Sequence, residues 1–406
     1  MAENAKLHIA SSPASSQGTG NPDCSKLTDQ STPDDLALPD SKSPALHLSH
    51  PTDHENNLIW TLAAPLWKDA LTDSQFLEEC AHLTTVPLAA NGGMTQWILV
   101  DRTLPPDHRP VLASCESIRK RSLLSDAAGN VTETITHGIA SVFCNPQYRN
   151  RGYASRLLRE VAQILPTWQV EDHKKVVGSV LFSGIGGAFY AALGWNPARS
   201  VEIQFSPMVV ENPGASDILA DQVGRLCSED EAMIRRAMAV PAENGKARFM
   251  ILPDHEHMLW HHRKEEFDCE RLVGKKPAVK GAIAGQPGSR VWAIWMHRYC
   301  RSPGDEPSPN TLYILRLVIE NKQGAPVEEL KAVLQAAQTE AARWRLHHIK
   351  LWDPSPRVEQ LVKQTGIQHE KMTRDVDGVC CLRWYGEGSG RDEALDWVSK
   401  EKYAWC

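Results

Sequence analysis

The chain of 406 residues is poor in several features that would each define a function class. No Phe, Trp or Tyr precedes Trp60, and Ser, Pro, Asp and Asn dominate that stretch. Residues 1–53 therefore bury too little apolar surface to offset the entropy of ordering, and read as a disordered tail dispensable for chemistry. The ten cysteines contain no Cys-x-x-Cys pair, which removes the zinc-ribbon pattern. Several sit in apolar runs (Ala113-Ser114-Cys115, Val142-Phe143-Cys144, Val379-Cys380-Cys381-Leu382) and read as buried free thiols. Basic charge is not in excess: 44 Lys and Arg face 50 Asp and Glu, a formal net charge of -6. That balance gives no general attraction to nucleic acid or anionic lipid. No apolar core of signal-peptide type opens the chain, so a cytoplasmic location is expected. Only Val176–Ala198 is uncharged over a bilayer-spanning length. Gly178, Gly184, Gly186, Gly187 and Gly194 divide it into a buried strand (Val176–Phe182) and a short helix (Gly187–Leu193), so no membrane span is expected.

What is present is ordinary globular composition, 42% hydrophobic and 23% charged, on a length that suits two or three domains. A first folded region is expected over 54–206. It holds a helix at Leu66–Leu83, strands at Trp97–Asp101, Val111–Ile118 and His137–Cys144, and a loop at Ser122–Val131. A helix follows at Gly152–Leu165. Its apolar stripe is Leu157, Leu158, Val161, Ile164 and Leu165, and Pro166 stops it. A helical connector covers 207–248. The second region, 249–406, reads strand (Arg290–Tyr299), strand (Thr311–Glu320), helix (Val327–Trp344), strand (His348–Trp352), helix (Pro356–Thr365), strand (Val379–Tyr385). The series Gly138–Cys144, helix, Val176–Phe182, helix, Val201–Phe205 has the same order, which predicts a structural pseudo-repeat. The fold class is α/β (α+β), a mixed sheet flanked by helices, twice over.

The segment Ser141-Val-Phe-Cys-Asn-Pro-Gln-Tyr-Arg-Asn-Arg-Gly-Tyr-Ala154 carries Arg149-x-x-Gly152-x-Ala154 at a strand-to-helix junction. This is an anion cradle: a helix N-terminus offers unpaired N–H groups and a positive dipole end. Gly152 and the small Ala154 let the backbone approach a diphosphate, and Arg149 and Arg151 add charge. One strand later comes Phe189-Tyr190-Ala-Ala-Leu-Gly194-Trp195. Together the two motifs resemble the GCN5-related N-acetyltransferases, with their Gln/Arg-x-x-Gly-x-Gly/Ala turn and later Phe-Tyr-x-x-x-Gly-Phe stretch; here Trp195 replaces the last Phe. The strings Leu112-Ala-Ser-Cys-Glu116, Lys120-Arg121, His137-Gly-Ile-Ala-Ser-Val-Phe-Cys144, His257-Met-Leu-Trp-His-His262 and Arg290-Val-Trp-Ala-Ile-Trp295 are similar to the fungal lysine acetyltransferase family. That resemblance implies an acetyltransferase fold followed by a degenerate second copy, and acetyl-CoA as co-substrate. It also implies a small-molecule amine acceptor, the ε-amine of L-lysine in lysine degradation. The turn Phe182-Ser-Gly-Ile-Gly-Gly187 lacks the Asp and Lys of that family's version. An amine-bearing secondary metabolite as acceptor, or a non-enzymatic acetyl-CoA-binding regulator, therefore stay open as alternatives.

The resemblance assigns Val142, Phe143, Cys144, Arg149, Asn150, Arg151, Gly152, Tyr153, Ala154 and Ser155 to the cofactor, with a backbone N–H near Val142 and Phe143 facing the thioester oxygen. A lysine amine is neutral in only about one part in two thousand at pH 7, so its proton needs a route out. Glu116, a carboxylate in an apolar strand, is the candidate base; a salt bridge to Arg119 or Lys120, or an outward-facing position, is the structural alternative. Tyr190 is the candidate acid for the departing thiolate, or else a packing tyrosine. His137 is a lesser candidate base. His255, His257, His261 and His262 are dense, but lack the His-Glu-x-x-His order and a nearby Cys; a polar patch at the domain interface is expected and no metal. The second region has Asn321-Lys-Gln-Gly-Ala-Pro326 where a cradle would stand, so it is expected to wall the acceptor pocket without binding CoA. Partners are confined to the small-molecule amine, and the assembly to a monomer or homodimer.

Overall fold

The computed structural model describes residues 38–171, 174–321, 323–386 and 395–405. Its elements begin β1 (Leu46–Ser49), α1 (Asp53–Trp67), α2 (Asp73–Leu83), β2 (Met94–Asp101), β3 (Ala113–Ser125), β4 (Val131–Phe143), α3 (Tyr153–Ile164), β5 (Val176–Ser183), α4 (Ala188–Ala191), β6 (Asn196–Pro197) and β7 (Val201–Phe205). They continue β8 (Ser216–Leu219), α5 (Ala220–Met238), β9 (Ala247–Ile251), α6 (His255–Leu272), β10 (Val279–Ala284), β11 (Val291–Arg298), β12 (Thr311–Ile319), α7 (Val327–Arg343), β13 (His348–Trp352), α8 (Pro356–Gln364), β14 (Glu370–Thr373), β15 (Val379–Trp384) and β16 (Leu395–Trp397).

Local chemistry sets most of these boundaries. The helix expected at Leu66–Leu83 is two helices: Asp69 takes a positive φ of 51° and Thr72 starts afresh. The Thr72 side chain accepts from Gln75 N and the Gln75 side chain accepts from Thr72 N, a reciprocal cap that restarts the helix. The loop expected at Ser122–Val131 shrinks to Asp126–Asn130, because β3 and β4 stay paired out to Ser125↔Val131.

Two mixed sheets result. The first has the order β1-β2-β3-β4-β5-β15-β6, with β9 on β3 and β16 on β9; the second runs β14-β7-β13-β12-β11-β10-β8. They are not divided as the sequence suggested. Val201–Phe205, expected to close the first region, pairs antiparallel with β13 and β14 in the second sheet. Val379–Trp384, from the end of the chain, pairs antiparallel with β5 in the first. The physical reason is burial. β5 is apolar on both faces and needs a neighbour on each edge, supplied by β4 and β15. Ile203 and Phe205 bury against Leu312, Ile349 and Leu351 of the second half.

The stretch 207–248 is likewise more than a helical connector, since β8 joins the second sheet and β9, starting at Ala247, joins the first. The expected tail is also shorter. Leu46 is fully buried and β1 pairs with β2, from Leu46↔Asp101 to Ser49↔Ile98. The remainder of that tail, residues 1–37, lies outside the described residues.

One core packs α7 and α8 on the second sheet through Phe205, Trp295, Leu330, Val333 and Leu351. A second lies between the sheets, joining Val180 and Leu382 to Trp292, Leu315, Trp352 and Tyr403. One face of the first sheet is thus closed by the second half. Helix α6 is fixed in that interface by its histidines. His257 Nδ1 bonds Asp254 at 2.8 Å, His261 Nε2 bonds the Tyr403 carbonyl at 3.1 Å, and His262 Nε2 bonds the Trp295 carbonyl at 3.1 Å. The three rings are buried in that interface. Among the described residues no group of three or more His, Cys, Asp and Glu side chains is placed to hold a metal ion.

Candidate active site

β4 and β5 run parallel and pair from Ile135↔Val176 to Gly138↔Val180. Past that point they part. β4 stays on β3 as far as Ser114↔Phe143, while β5 stays on β15 as far as Ser183↔Val379. A wedge-shaped gap opens between Ile139–Phe143 and Leu181–Ser183. On its β4 edge is a bulge: Ser114 faces Phe143 and Glu116 faces Ala140, so Ser141 and Val142 together oppose Cys115. Ser141 has a φ of 51°, an uncommon left-handed value for a residue with a side chain. A bulge removes one residue from the ladder and redirects its N–H, here at the mouth of the gap.

The bulge is tied to Glu116. Ser141 Oγ donates to Glu116 Oε2 at 2.8 Å, and Gln96 Nε2 donates to Glu116 Oε1 at 3.0 Å. Arg119, a charged neighbour on the strand, pairs with Glu171. Burial pushes the Glu116 carboxyl above its ordinary value, and the Ser141 and Gln96 hydrogen bonds oppose that shift without cancelling it. Gln96 and Ser141 carried no signal in the sequence, because only strand register brings them beside Glu116.

Tyr190 lies across the sheet. Burial pushes its pKa up to about 12, and the neighbouring thiols are those of Cys115 and Cys381. Cys115 and Glu116 are successive strand residues and point to opposite faces. Tyr190 and Glu116 therefore flank the gap from either side and do not touch. His137 belongs elsewhere. It sits in the zipped part of β4, opposite Ser179, with Nε2 on the Trp168 carbonyl at 3.2 Å. Burial pulls its pKa down to about 4, so it is a neutral packing residue away from the gap.

The Arg149–Ser155 turn follows the open end of β4. Gly152 has a φ of 87° and precedes α3, whose N-terminus no side chain caps. Arg149, Asn150 and Arg151 are exposed beside it, and Ala154 and Ser155 are half-buried. Tyr153 turns inward, donating from its hydroxyl to the Pro39 carbonyl at 2.7 Å, and offers the cradle only its backbone. Cys144 likewise turns its thiol to the Leu112 carbonyl at 3.3 Å. The Pro39–Ser41 segment lies over this turn: Arg156 Nη1 donates to the Ser41 carbonyl at 3.2 Å. Sequence reading had placed that segment in the dispensable tail. An uncapped helix start behind a left-handed glycine fits a diphosphate.

The C-terminal half, residues 201–406, matches the family model described as the LYC1 GNAT-like C-terminal domain. A protein of Yarrowia lipolytica named "Lysine acetyltransferase" is 20% identical over 352 residues, 73% of this chain and 84% of that protein. Among solved structures, a GCN5-related N-acetyltransferase from Kribbella flavida is 14% identical with a TM-score of 0.48, over 84% of this chain and 72% of that one. A tandem GNAT protein from the clavulanic acid biosynthesis pathway is 11% identical with a TM-score of 0.44, over 84% of this chain and 99% of that one. The chain belongs to the LYC1-like family of the GCN5-related N-acetyltransferases and is an acyltransferase.

Proposed function

We propose that this acetyltransferase moves the acetyl group of acetyl-CoA to the ε-amine of free L-lysine, in cytoplasmic lysine breakdown. The observation that carries the chemistry is the β4–β5 gap, with Glu116 on one face, Tyr190 on the other and the Ser141 bulge between them. The name of the Yarrowia lipolytica relative supports the acceptor. Eight free cysteines among the described residues support a reducing compartment.

The N–H groups at the start of α3 (Gly152, Tyr153, Ala154, Ser155) hold the diphosphate, and Arg149, Asn150 and Arg151 screen its charge. The β4 backbone at Val142, Phe143 and Cys144 guides the thiol-bearing arm into the gap. Acetyl-CoA supplies the activated acetyl thioester. Glu116 takes the proton of the acceptor ammonium, directly or through one water. The redirected N–H near Val142 and Phe143 faces the carbonyl oxygen as it becomes an oxyanion. Tyr190 keeps its proton at neutral pH and delivers it to the departing thiolate, and the second proton shed by the acceptor nitrogen returns to the Tyr190 oxygen, directly or through water.

Release of free thiol from acetyl-CoA, measured against amines led by L-lysine, tests the reading. Turnover with lysine is the expected result. Acetyl-CoA binding with no turnover on any amine would overturn it in favour of a regulator. Gly152→Val is expected to weaken acetyl-CoA by about 10- to 100-fold, since a side chain in the left-handed region costs roughly 1–3 kcal/mol. Its Cβ would also stand 2.8 Å from Ser41 Oγ. Calorimetric titration reads the loss, and unchanged affinity would contradict the cradle. Rate against pH tests Glu116. A base must be ionised, so kcat/KM falls as pH drops through a pKa raised above the ordinary carboxylate value. Glu116→Gln should remove that acid limb and cost about 100-fold in rate; a limb that survives the substitution belongs to another group.

A further inference from the structure

Among the described residues, Lys402 is a buried amine in the inter-sheet interface for which the fold supplies no counter-charge. It is 2% exposed and enclosed by aromatic rings. Its Nζ stands 3.5 Å from the Trp405 ring centroid, 4.3 Å from that of Trp352 and 4.7 Å from that of Tyr313. Among the described residues no carboxylate forms a salt bridge with it and no acceptor hydrogen-bonds it. The neighbouring guanidiniums are already matched. Arg298 binds Asp69 through two bonds of 2.9 and 3.1 Å, and Arg374 binds Asp353 while stacking on Trp352.

The position is held firmly. Glu401 Oε1 accepts from Leu317 N at 3.0 Å, the Tyr403 hydroxyl donates to the Ile251 carbonyl at 2.6 Å, and the Tyr403 carbonyl bonds His261 Nε2. A buried ammonium loses its hydration, and ring faces return only part of that cost. The box alone does not balance the charge. Burial first, then Arg298, pulls the Lys402 pKa well below its ordinary value.

The box borders the gap. Trp352 lies 6.0 Å, ring to ring, from Phe182 on the β5 edge. Trp405 packs in the cluster of Ile118, which shares a face of β3 with Glu116, two residues away. Asp377, which acts electrostatically on Lys402, is exposed, with Oδ1 3.7 Å from where a Cβ on Gly184 would stand. The Lys402 amine, which a bound carboxylate would hold as an ammonium, and the exposed Asp377 carboxylate suit a zwitterionic head, while the gap takes the amine at the other end.

We propose that Lys402, in its box of Tyr313, Trp352 and Trp405, is the anchor for a carboxylate on the acceptor, which restricts this enzyme to amines that also carry an acid group. The inference rests on amine acetylation at the β4–β5 gap and adds the residue that selects the substrate class. Lys402 is a specificity residue and takes no part in proton transfer.

The test compares amino acids with their decarboxylated twins: L-lysine with cadaverine, L-ornithine with putrescine, L-phenylalanine with phenethylamine. Binding to the CoA-loaded protein is read by tryptophan fluorescence, and turnover by thiol release. The wild type should prefer an acid-bearing member by about 100-fold, the scale of a desolvated ion pair. Lys402→Met should bring that member down to its twin's level, with acetyl-CoA affinity and melting temperature maintained. Lys402→Arg, which keeps the charge, should recover part of the preference. Equal binding of both twins by the wild type, no binding of any acid-bearing amine, or an unchanged preference in Lys402→Met would each overturn the proposal. Lys402-dependent binding without thiol release would instead leave the anchor standing and overturn the acetylation reading. Should Lys402→Met melt early, the Lys402→Arg and wild-type comparison decides.

Discussion

Tyr190→Phe is expected to lower kcat by about 1,000-fold, within the range of a lost general acid. Acetyl-CoA affinity should stay within about twofold, because the cradle is built from other residues. The case rests on how the tyrosine is held. α4 is a single turn, and Gly194, at a φ of 92°, reverses the chain so that Trp195 N donates to the Tyr190 carbonyl at 3.0 Å. Trp195 is fully buried, with its indole N–H on Ser179 Oγ at 3.0 Å. Phe189 meets the Tyr190 ring edge-on at 5.0 Å. Removing one hydroxyl oxygen leaves this packing in place, so a fall in rate reports chemistry. With its pKa pushed up to about 12, Tyr190 remains an acid across the working range. The alkaline limb of the rate profile should therefore persist in the variant. Wild-type kcat in Tyr190→Phe would make the residue a packing tyrosine.

Glu265→Ala is expected to destabilise the fold by about 3–5 kcal/mol, the cost of removing one partner from a buried charge network. Glu265 is fully buried; its Oε1 accepts from Lys280 Nζ at 2.6 Å and its Oε2 from His297 N and Nδ1 at 2.8 Å each. His297 Nε2 reaches Glu340 Oε1 at 3.3 Å on α7, so the carboxylate joins α6, β10, β11 and α7. Burial alone would raise the Glu265 pKa, but Lys280 and the His297 bonds outweigh it and hold it at about 2. A depressed carboxyl contributes stability above its unfolded value, and the contribution is lost as pH falls through the folded value. The difference between wild type and variant in urea unfolding should therefore shrink as pH falls from about 4.5 towards 2. A loss under 1 kcal/mol at pH 7 would mean that water or Glu266 replaces the carboxylate.

Both motifs were legible in the chain because their residues lie at short spacing. Arg149-x-x-Gly152-x-Ala154 sits at a strand-to-helix junction, and Gly152 takes the left-handed conformation that only glycine adopts freely. The helix stripe Leu157, Leu158, Val161 predicted α3 to within a residue at each end, and all three are fully buried. The paired strands before α7 were equally clear, since β11 and β12 are neighbours in sequence and in space.

Strand partnership was not legible. Val201–Phe205 and Val379–Trp384 read correctly as strands, yet each joins the sheet opposite to the expected one. An apolar alternation says that a strand is buried and says nothing of which edge receives it. For the same reason Gln96 and Ser141 beside Glu116, the Pro39–Ser41 segment over the α3 turn, and the Lys402 box leave no signal in the sequence.

The sequence by itself determined the acyltransferase family, and it offered the Arg149–Ala154 turn, Glu116 and Tyr190 as candidates. These depend on residue types at short spacing, where backbone geometry is fixed within a turn. The tertiary structure alone decided that Gln96 and Ser141 meet at Glu116, that the two sheets exchange strands, and that Lys402, three residues before Trp405, is enclosed by that ring and by rings from β12 and β13. Those facts follow from long-range burial, which brings together side chains separated by up to hundreds of residues and leaves no mark on the local pattern.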